Sequence, residues 1–197
     1  GQLKSSKGIN VPFGDLRGKL ITSRDKKMIQ FAIEEEVDFI GVSFVESAKH
    51  IHLIRKLIAN EIPKIVAKVE NQKGIDNLTD IINATDVIMI DRGDLSTETN
   101  IETLCINQKK IIEQSNRLSK PVIVATEMLD NMINSPHPTK AEVLDISNSV
   151  LDGATATMLS GETAVGKYPI DSIKIMSKIS NVTINNQFTK NKDKKKS

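Results

Sequence analysis

A single cysteine, Cys105, excludes an internal disulfide and fits a reducing compartment. Its place in the apolar spacing Ile101, Leu104, Cys105 predicts a buried thiol rather than a nucleophile. No apolar run approaches the ~18 residues of a membrane span, so no membrane partner is expected. Neither sign of charge dominates. Lys and Arg total 27 against 25 Asp and Glu, and a net charge of +2 gives no case for nucleic-acid binding. Five of those lysines (Lys190, Lys192, Lys194, Lys195 and Lys196) crowd the end of the chain, where a solvated, disordered tail is expected. The beginning shows no signal or transit pattern. A cytoplasmic location is the expectation, with an organelle left open because the sequence starts inside a folded region.

What is present is a regular alternation. At 197 residues the chain holds one sizeable domain but falls short of the ~250 residues of a complete (β/α)8 barrel. Hydrophobic content of 39% and charged content of 26% are ordinary for a globular protein. Short β-branched runs at Val37–Val45, Ile65–Glu70, Asp86–Ile90, Pro121–Ala125 and Ala154–Ser160 read as strands covered on both faces. Between them lie stretches with helical spacing, such as Ile51/Ile54/Leu57/Ile58, Ile75/Leu78/Ile81/Ile82 and Val143/Ile146/Val150. Thr139 and Glu142 form a capping-box pattern, and Pro169 suits a first helical turn. Repeated β-then-α units predict an α/β fold, a partial TIM (β/α)8 barrel with about five parallel strands. Residues 1–15 read as a connection into the barrel, 16–181 as the partial barrel, and 182–197 as the polar tail.

The strand ends carry the chemistry. Side chains on a strand repeat with period 2, so Lys68 and Glu70 point the same way while Val69 points opposite. The next strand also ends in charge, at Arg92-Gly93-Asp94. Ser43, Thr126, Glu127, Ser160 and Glu162 stand just beyond the other apolar runs, where parallel barrels gather their reactive groups. One or two carboxylates suffice for Mg2+ or Mn2+ when substrate oxygens and water complete the shell, and Glu70 and Asp94 fit that role. Lys68 would face a transferring phosphoryl group. Gly93, lacking a Cβ, admits a ligand close to the backbone, and its amide with that of Asp94 can open a short carboxylate-binding helix. A lone Lys-x-Glu is usually an exposed pair on a wet face, and Arg-Gly-Asp is common in turns. Ser43 and Thr126 could equally bond nearby backbone, and His50, His52 and His137 read as surface residues. The recurrence of polar strand ends singles the site out.

These segments resemble the pyruvate kinase family. Ala125 with Thr126-Glu127-Met128-Leu129-Asp130-Asn131-Met132 is similar to its Ala-Thr-Gln-Met-Leu-Glu-Ser-Met. Pro136-His137-Pro138-Thr139-Lys140-Ala141-Glu142 resembles its Pro-x-Pro-Thr-Arg-Ala-Glu, and Met158-Leu159-Ser160-Gly161-Glu162-Thr163-Ala164 is the family's own run. Lys68-Val69-Glu70-Asn71 resembles Lys-Ile-Glu-Asn, and Lys7-Gly8-Ile9-Asn10 the segment leaving the lid domain. The resemblance implies the last five βα units of a catalytic barrel whose parent transfers phosphate from phosphoenolpyruvate to ADP, giving pyruvate and ATP in glycolysis. It implies Mg2+ or Mn2+ on Glu70 and Asp94, and K+ bound in strands outside this chain. Lys68 would act on the phosphoryl group in flight, Thr126 near the pyruvate carboxylate, and Gly93 through its amide. Ser160 and Glu162 would lie on the route that protonates the enolate, with Ser43 and Arg92 in support. The parent would be a homotetramer, and the isolated chain inactive.

Departures cluster at the site. Asp91 stands where the family has alanine, Ser96 where it has glycine, Glu127 where it has glutamine, and Lys140 where it has arginine. A like charge at ~4 Å costs about 4 kcal/mol at an effective dielectric of ~20. Asp91 and Glu127 are therefore expected to lower ligand affinity unless they point away or recruit a cation. They motivate the alternative of a non-catalytic paralogue serving as a regulatory or interaction subunit. An aldolase of related architecture ranks below both.

Overall fold

The computed structural model describes residues 20–59 and 62–194; the connection expected over residues 1–15 lies outside them. The chain begins with α1 (Ser23–Glu34) and continues β1 (Phe39–Val42), α2 (Ala48–Ile58), β2 (Lys64–Val69), α3 (Gln72–Asp76) and α4 (Leu78–Ala84). It goes on with β3 (Val87–Asp91), α5 (Arg92–Glu98), α6 (Leu104–Arg117), β4 (Val122–Ala125) and α7 (Lys140–Asp152). The last elements are β5 (Ala156–Met158), α8 (Gly161–Ala164) and α9 (Pro169–Lys194). The five strands lie parallel in the order β1-β2-β3-β4-β5, so every strand C-terminus falls on the same side. This is the expected partial barrel.

Local chemistry sets the boundaries. Thr22 caps α1 and Thr139 caps α7, each in a reciprocal capping box with the acid three residues on, Asp25 and Glu142. α7 ends at Gly153, whose φ of 97° is left-handed. Gly74 permits a close approach, since a Cβ there would meet Val45 O at 2.9 Å. At the N-terminal side of the sheet, Asp86 accepts from the Ile65 amide at 2.8 Å and from Arg55 Nη1 at 2.9 Å, tying β2, β3 and α2 together.

The core lies between the sheet and its helices: Ile65, Ala67 and Val69 on β2, Ile88 and Ile90 on β3, and Val122 and Val124 on β4 face Ile81, Ile111, Ile112 and Ile146. Among the described residues, only that face is fully covered. On the other, concave face a recess of about 500 Å³ is lined by Phe39, Val66, Met89 and Ile123 among others, and Phe39 is 51% exposed. Strands buried on both faces were expected. The difference arises because five strands do not close on themselves, leaving β1 and β5 with one neighbour each.

Three further expectations change. Cys105 is exposed, not buried; Ile101 and Ile106 are exposed as well, so the start of α6 projects from the packed body. His50 is half-buried, and burial pulls its pKa below the ordinary value. The segment from residue 182 is not an irregular tail as far as Lys194, because α9 continues through it. Thr183 Oγ1 donates to Ile179 O at 2.9 Å and lies 3.3 Å from Ser147 Oγ, and Gln187 Nε2 donates to Leu151 O at 3.4 Å. Packing on α7 thus sustains a helix that apolar spacing did not announce.

Candidate active site

Strand parity and register assemble the charged cluster. Lys68 pairs beside Met89 and Val69 beside Ile90, so Glu70 and Asp91 leave the sheet next to one another. Lys68, Glu70 and Asp91 share the concave face, while Val69 and Ile90 turn into the core. Lys68 Nζ lies 2.6 Å from Glu70 Oε1 and 2.9 Å from Asp91 Oδ2, and donates to Ser43 Oγ at 3.3 Å. Glu70 is 1% exposed. Its Oε2 accepts the Phe44 amide at 2.5 Å, whereas Oε1, though ion-paired, receives no hydrogen bond of regular geometry. Asp94 comes from the first turn of α5, and carboxylate oxygens of Glu70, Asp91 and Asp94 all lie within 4.8 Å of one another.

Three carboxylates and the Lys68 ammonium meet in this cluster. Burial pulls the Lys68 pKa down, but Glu70 and Asp91 outweigh it and hold the ammonium above its ordinary value. Burial pushes the Glu70 carboxyl up, and Lys68 with the Phe44 amide does not fully offset this; Asp91 pushes it the same way. A hard divalent cation favours carboxylates drawn this close together. The oxygen-only donor set and the near-complete burial of Glu70 suit Mg2+ or Mn2+.

Beside this cluster, Thr126 and Glu127 turn the chain after β4 with left-handed φ values of 71° and 52°. Arg92, 7% exposed, holds that turn. Its Nε donates to Thr126 O at 3.0 Å, and its Nη2 to Thr126 O at 2.6 Å and Glu127 O at 2.9 Å. Its Nη1 pairs with Asp145 Oδ2 at 2.5 Å. Sequence reasoning missed Asp145, because the pair spans 53 residues and nothing local marks it. Thr126 Oγ1 donates to Ala125 O at 2.6 Å and accepts the Gly93 amide at 2.8 Å. The Gly93 amide, expected to be open to a ligand, therefore has an internal partner.

Glu162 lies at the junction of two loops. It is 1% exposed, and its two oxygens accept the Leu129 and Ser160 amides, each at 2.8 Å. The carboxylate braces the loop after β4 against the loop after β5, while Ser160 Oγ is buried without a partner. Glu127 is exposed to solvent, which screens its charge, whereas Asp91 has recruited a cation in Lys68. The geometry thus joins Ser43, Lys68, Glu70, Asp91 and Asp94 in one group. It sets Arg92, Gly93 and Thr126 alongside, and places Ser160 and Glu162 in a separate brace.

Acidic groups and a lysine gathered at the C-terminal rim of a parallel sheet define an α/β barrel with its reactive groups at the strand ends. A family model described as pyruvate kinase, barrel domain, matches residues 1–173. The chain is 44% identical over 186 residues to a pyruvate kinase of Sporosarcina psychrophila, covering 93% of this chain and 32% of that protein. It is 45% identical over 185 residues to one of Thermococcus litoralis, covering 93% and 39% respectively. With the pyruvate kinase of Thermotoga maritima it shares 43% over 182 residues, 91% of this chain and 39% of that one. The chain belongs to the pyruvate kinase family, as its motifs implied. It spans about a third of the length of these curated relatives. Among the described residues, no helix is long and apolar enough to cross a membrane.

Proposed function

We propose that this chain forms the metal- and phosphate-handling part of an enzyme that transfers a phosphoryl group from phosphoenolpyruvate to ADP. The observation that carries the reading is the meeting of Lys68, Glu70 and Asp94 at one strand rim. Glu70 and Asp94 would hold Mg2+ or Mn2+, which when bound neutralises charge on substrate oxygens. Lys68, kept protonated by its two carboxylate neighbours, would place a fixed positive charge where the phosphoryl group carries its own. The Thr126 hydroxyl would meet the pyruvate end of the substrate. Gly93 N would be released to that ligand when Thr126 shifts its bond. Arg92 would keep the Thr126–Glu127 turn in its left-handed form.

The test grafts residues 1–173 in place of the matching barrel segment of the Thermotoga maritima relative and measures pyruvate formed from phosphoenolpyruvate and ADP, with Mg2+ and K+ present. The graft is expected to turn over and Lys68→Met to lower kcat roughly a thousandfold. A folded graft that forms no pyruvate, or one indifferent to Lys68→Met, would count against the assignment. The Lys68–Asp91 pair supports a second reading, a non-catalytic paralogue with a disabled lysine. In that case Asp91→Ala restores turnover to an otherwise silent graft.

A further inference from the structure

Asp145 lies inside α7, yet its carboxylate reaches the guanidinium that holds the turn after β4. Its Oδ2 takes Arg92 Nη1 at 2.5 Å, while Arg92 Nε and Nη2 bind the carbonyls of Thr126 and Glu127. The arginine is buried and the acid partly exposed, so the pair runs from the turn out to the surface of α7. A guanidinium is a flat fork, and partners on both of its sides fix the plane in which it lies. The two carbonyls it binds belong to the two residues with left-handed φ, 71° at Thr126 and 52° at Glu127. A β-branched residue stays in that region only where its surroundings enforce it. The chain of contacts ends at Gly93. Its amide lies in the first turn of α5, where a helix supplies no acceptor of its own, and it donates instead to Thr126 Oγ1 at 2.8 Å.

We propose that Asp145 is a positioning residue for Thr126, acting from α7 through Arg92. This rests on the reading of Thr126 as the hydroxyl that meets the pyruvate end of the substrate, and it adds the residue that sets where that hydroxyl stands. Without Asp145, Arg92 keeps its carbonyl partners but loses the anchor on its other arm. The Thr126–Glu127 turn can then leave the left-handed region, and the hydroxyl moves away from Gly93 N. Misplacing a substrate-orienting group by about 1 Å lowers the rate far more than the affinity.

The test has two arms. In the whole chain, amide exchange followed by NMR reports the Gly93–Thr126 bond. Asp145→Ala is expected to speed exchange of the Gly93 amide roughly tenfold, while the Ile88 amide, bonded to Pro121 O at the sheet, exchanges as in the wild type. Equal acceleration of both amides would make Asp145 a stability residue and overturn the proposal; an unchanged Gly93 rate would overturn it as well. Where circular dichroism shows the alanine variant unfolded, Asp145→Asn is read by the same comparison. In the graft of residues 1–173, Asp145→Ala is expected to lower kcat roughly tenfold and leave KM for ADP within about twofold, with Asp145→Glu restoring most of the rate. In a Thr126→Ala background the same change should lower kcat no further. An unchanged kcat, or an undiminished loss in the Thr126→Ala background, would overturn the proposal. An unmutated graft that forms no pyruvate would sink the phosphoryl-transfer reading instead, and Gly93 exchange in the whole chain then decides the positioning role.

Discussion

Arg92 and Glu162 share a design in which a buried charge is spent on backbone groups from a distant loop. Arg92 satisfies the carbonyls of Thr126 and Glu127, and Glu162 satisfies the amides of Leu129 and Ser160. Removing either leaves buried backbone groups unbonded, which costs about 1–3 kcal/mol per group. Arg92→Ala is therefore expected to lower unfolding stability by about 3 kcal/mol, because Asp145 also loses its partner. Arg92→Lys should recover only part of that, since a single ammonium cannot span the fork. Glu162→Gln places an amide nitrogen against a backbone N–H and should cost about 1–3 kcal/mol. Urea denaturation measures all three. Wild-type stability in Glu162→Gln would mean that the brace carries little.

Elements show where the sequence was legible and where it was not. The α/β alternation could be read because each strand is a short β-branched run and each helix has a marked start. Thr139 and Glu142 announced α7, and Thr139→Ala should cost about 1 kcal/mol, read by thermal or urea unfolding. The charged cluster could be read because strand parity alone puts Lys68 and Glu70 on one face. Its completion by Asp91 needed the pairing register of β2 with β3, which no single strand encodes. Asp145 and the helix beyond residue 182 were not legible because both depend on tertiary contacts of α7. Asp86 tests an element junction through pH. Burial raises its pKa, but Arg55 and the Ile65 amide outweigh this and hold it below the ordinary 3.8. A depressed folded value means that its contribution is fully present above 3.8 and is lost as pH falls through the lower folded value. Acid titration of the melting temperature should show the wild type losing stability in that window, with a shallower acid slope in Asp86→Asn. Identical slopes would show that the junction contributes nothing through this carboxylate.

At the scale of the molecule, one face of the sheet is sealed by helices and the other is a recess of about 500 Å³ with Phe39 half exposed. The charged group sits at the rim of that recess, so the surface that positions the chemistry is also the open apolar one. The native chain is accordingly expected to bind the dye ANS without denaturant, and Ile123→Glu to reduce the fluorescence; no binding under native conditions would contradict an accessible concave face. The proposed chemistry depends on a single ion shared by side chains from two successive βα units. Its most direct test is the anomalous scattering of a crystal soaked in Mn2+. One peak is expected within about 2.3 Å of carboxylate oxygens of both Glu70 and Asp94, with Lys68 beside it. A crystal with these side chains well ordered and no manganese between them would contradict it.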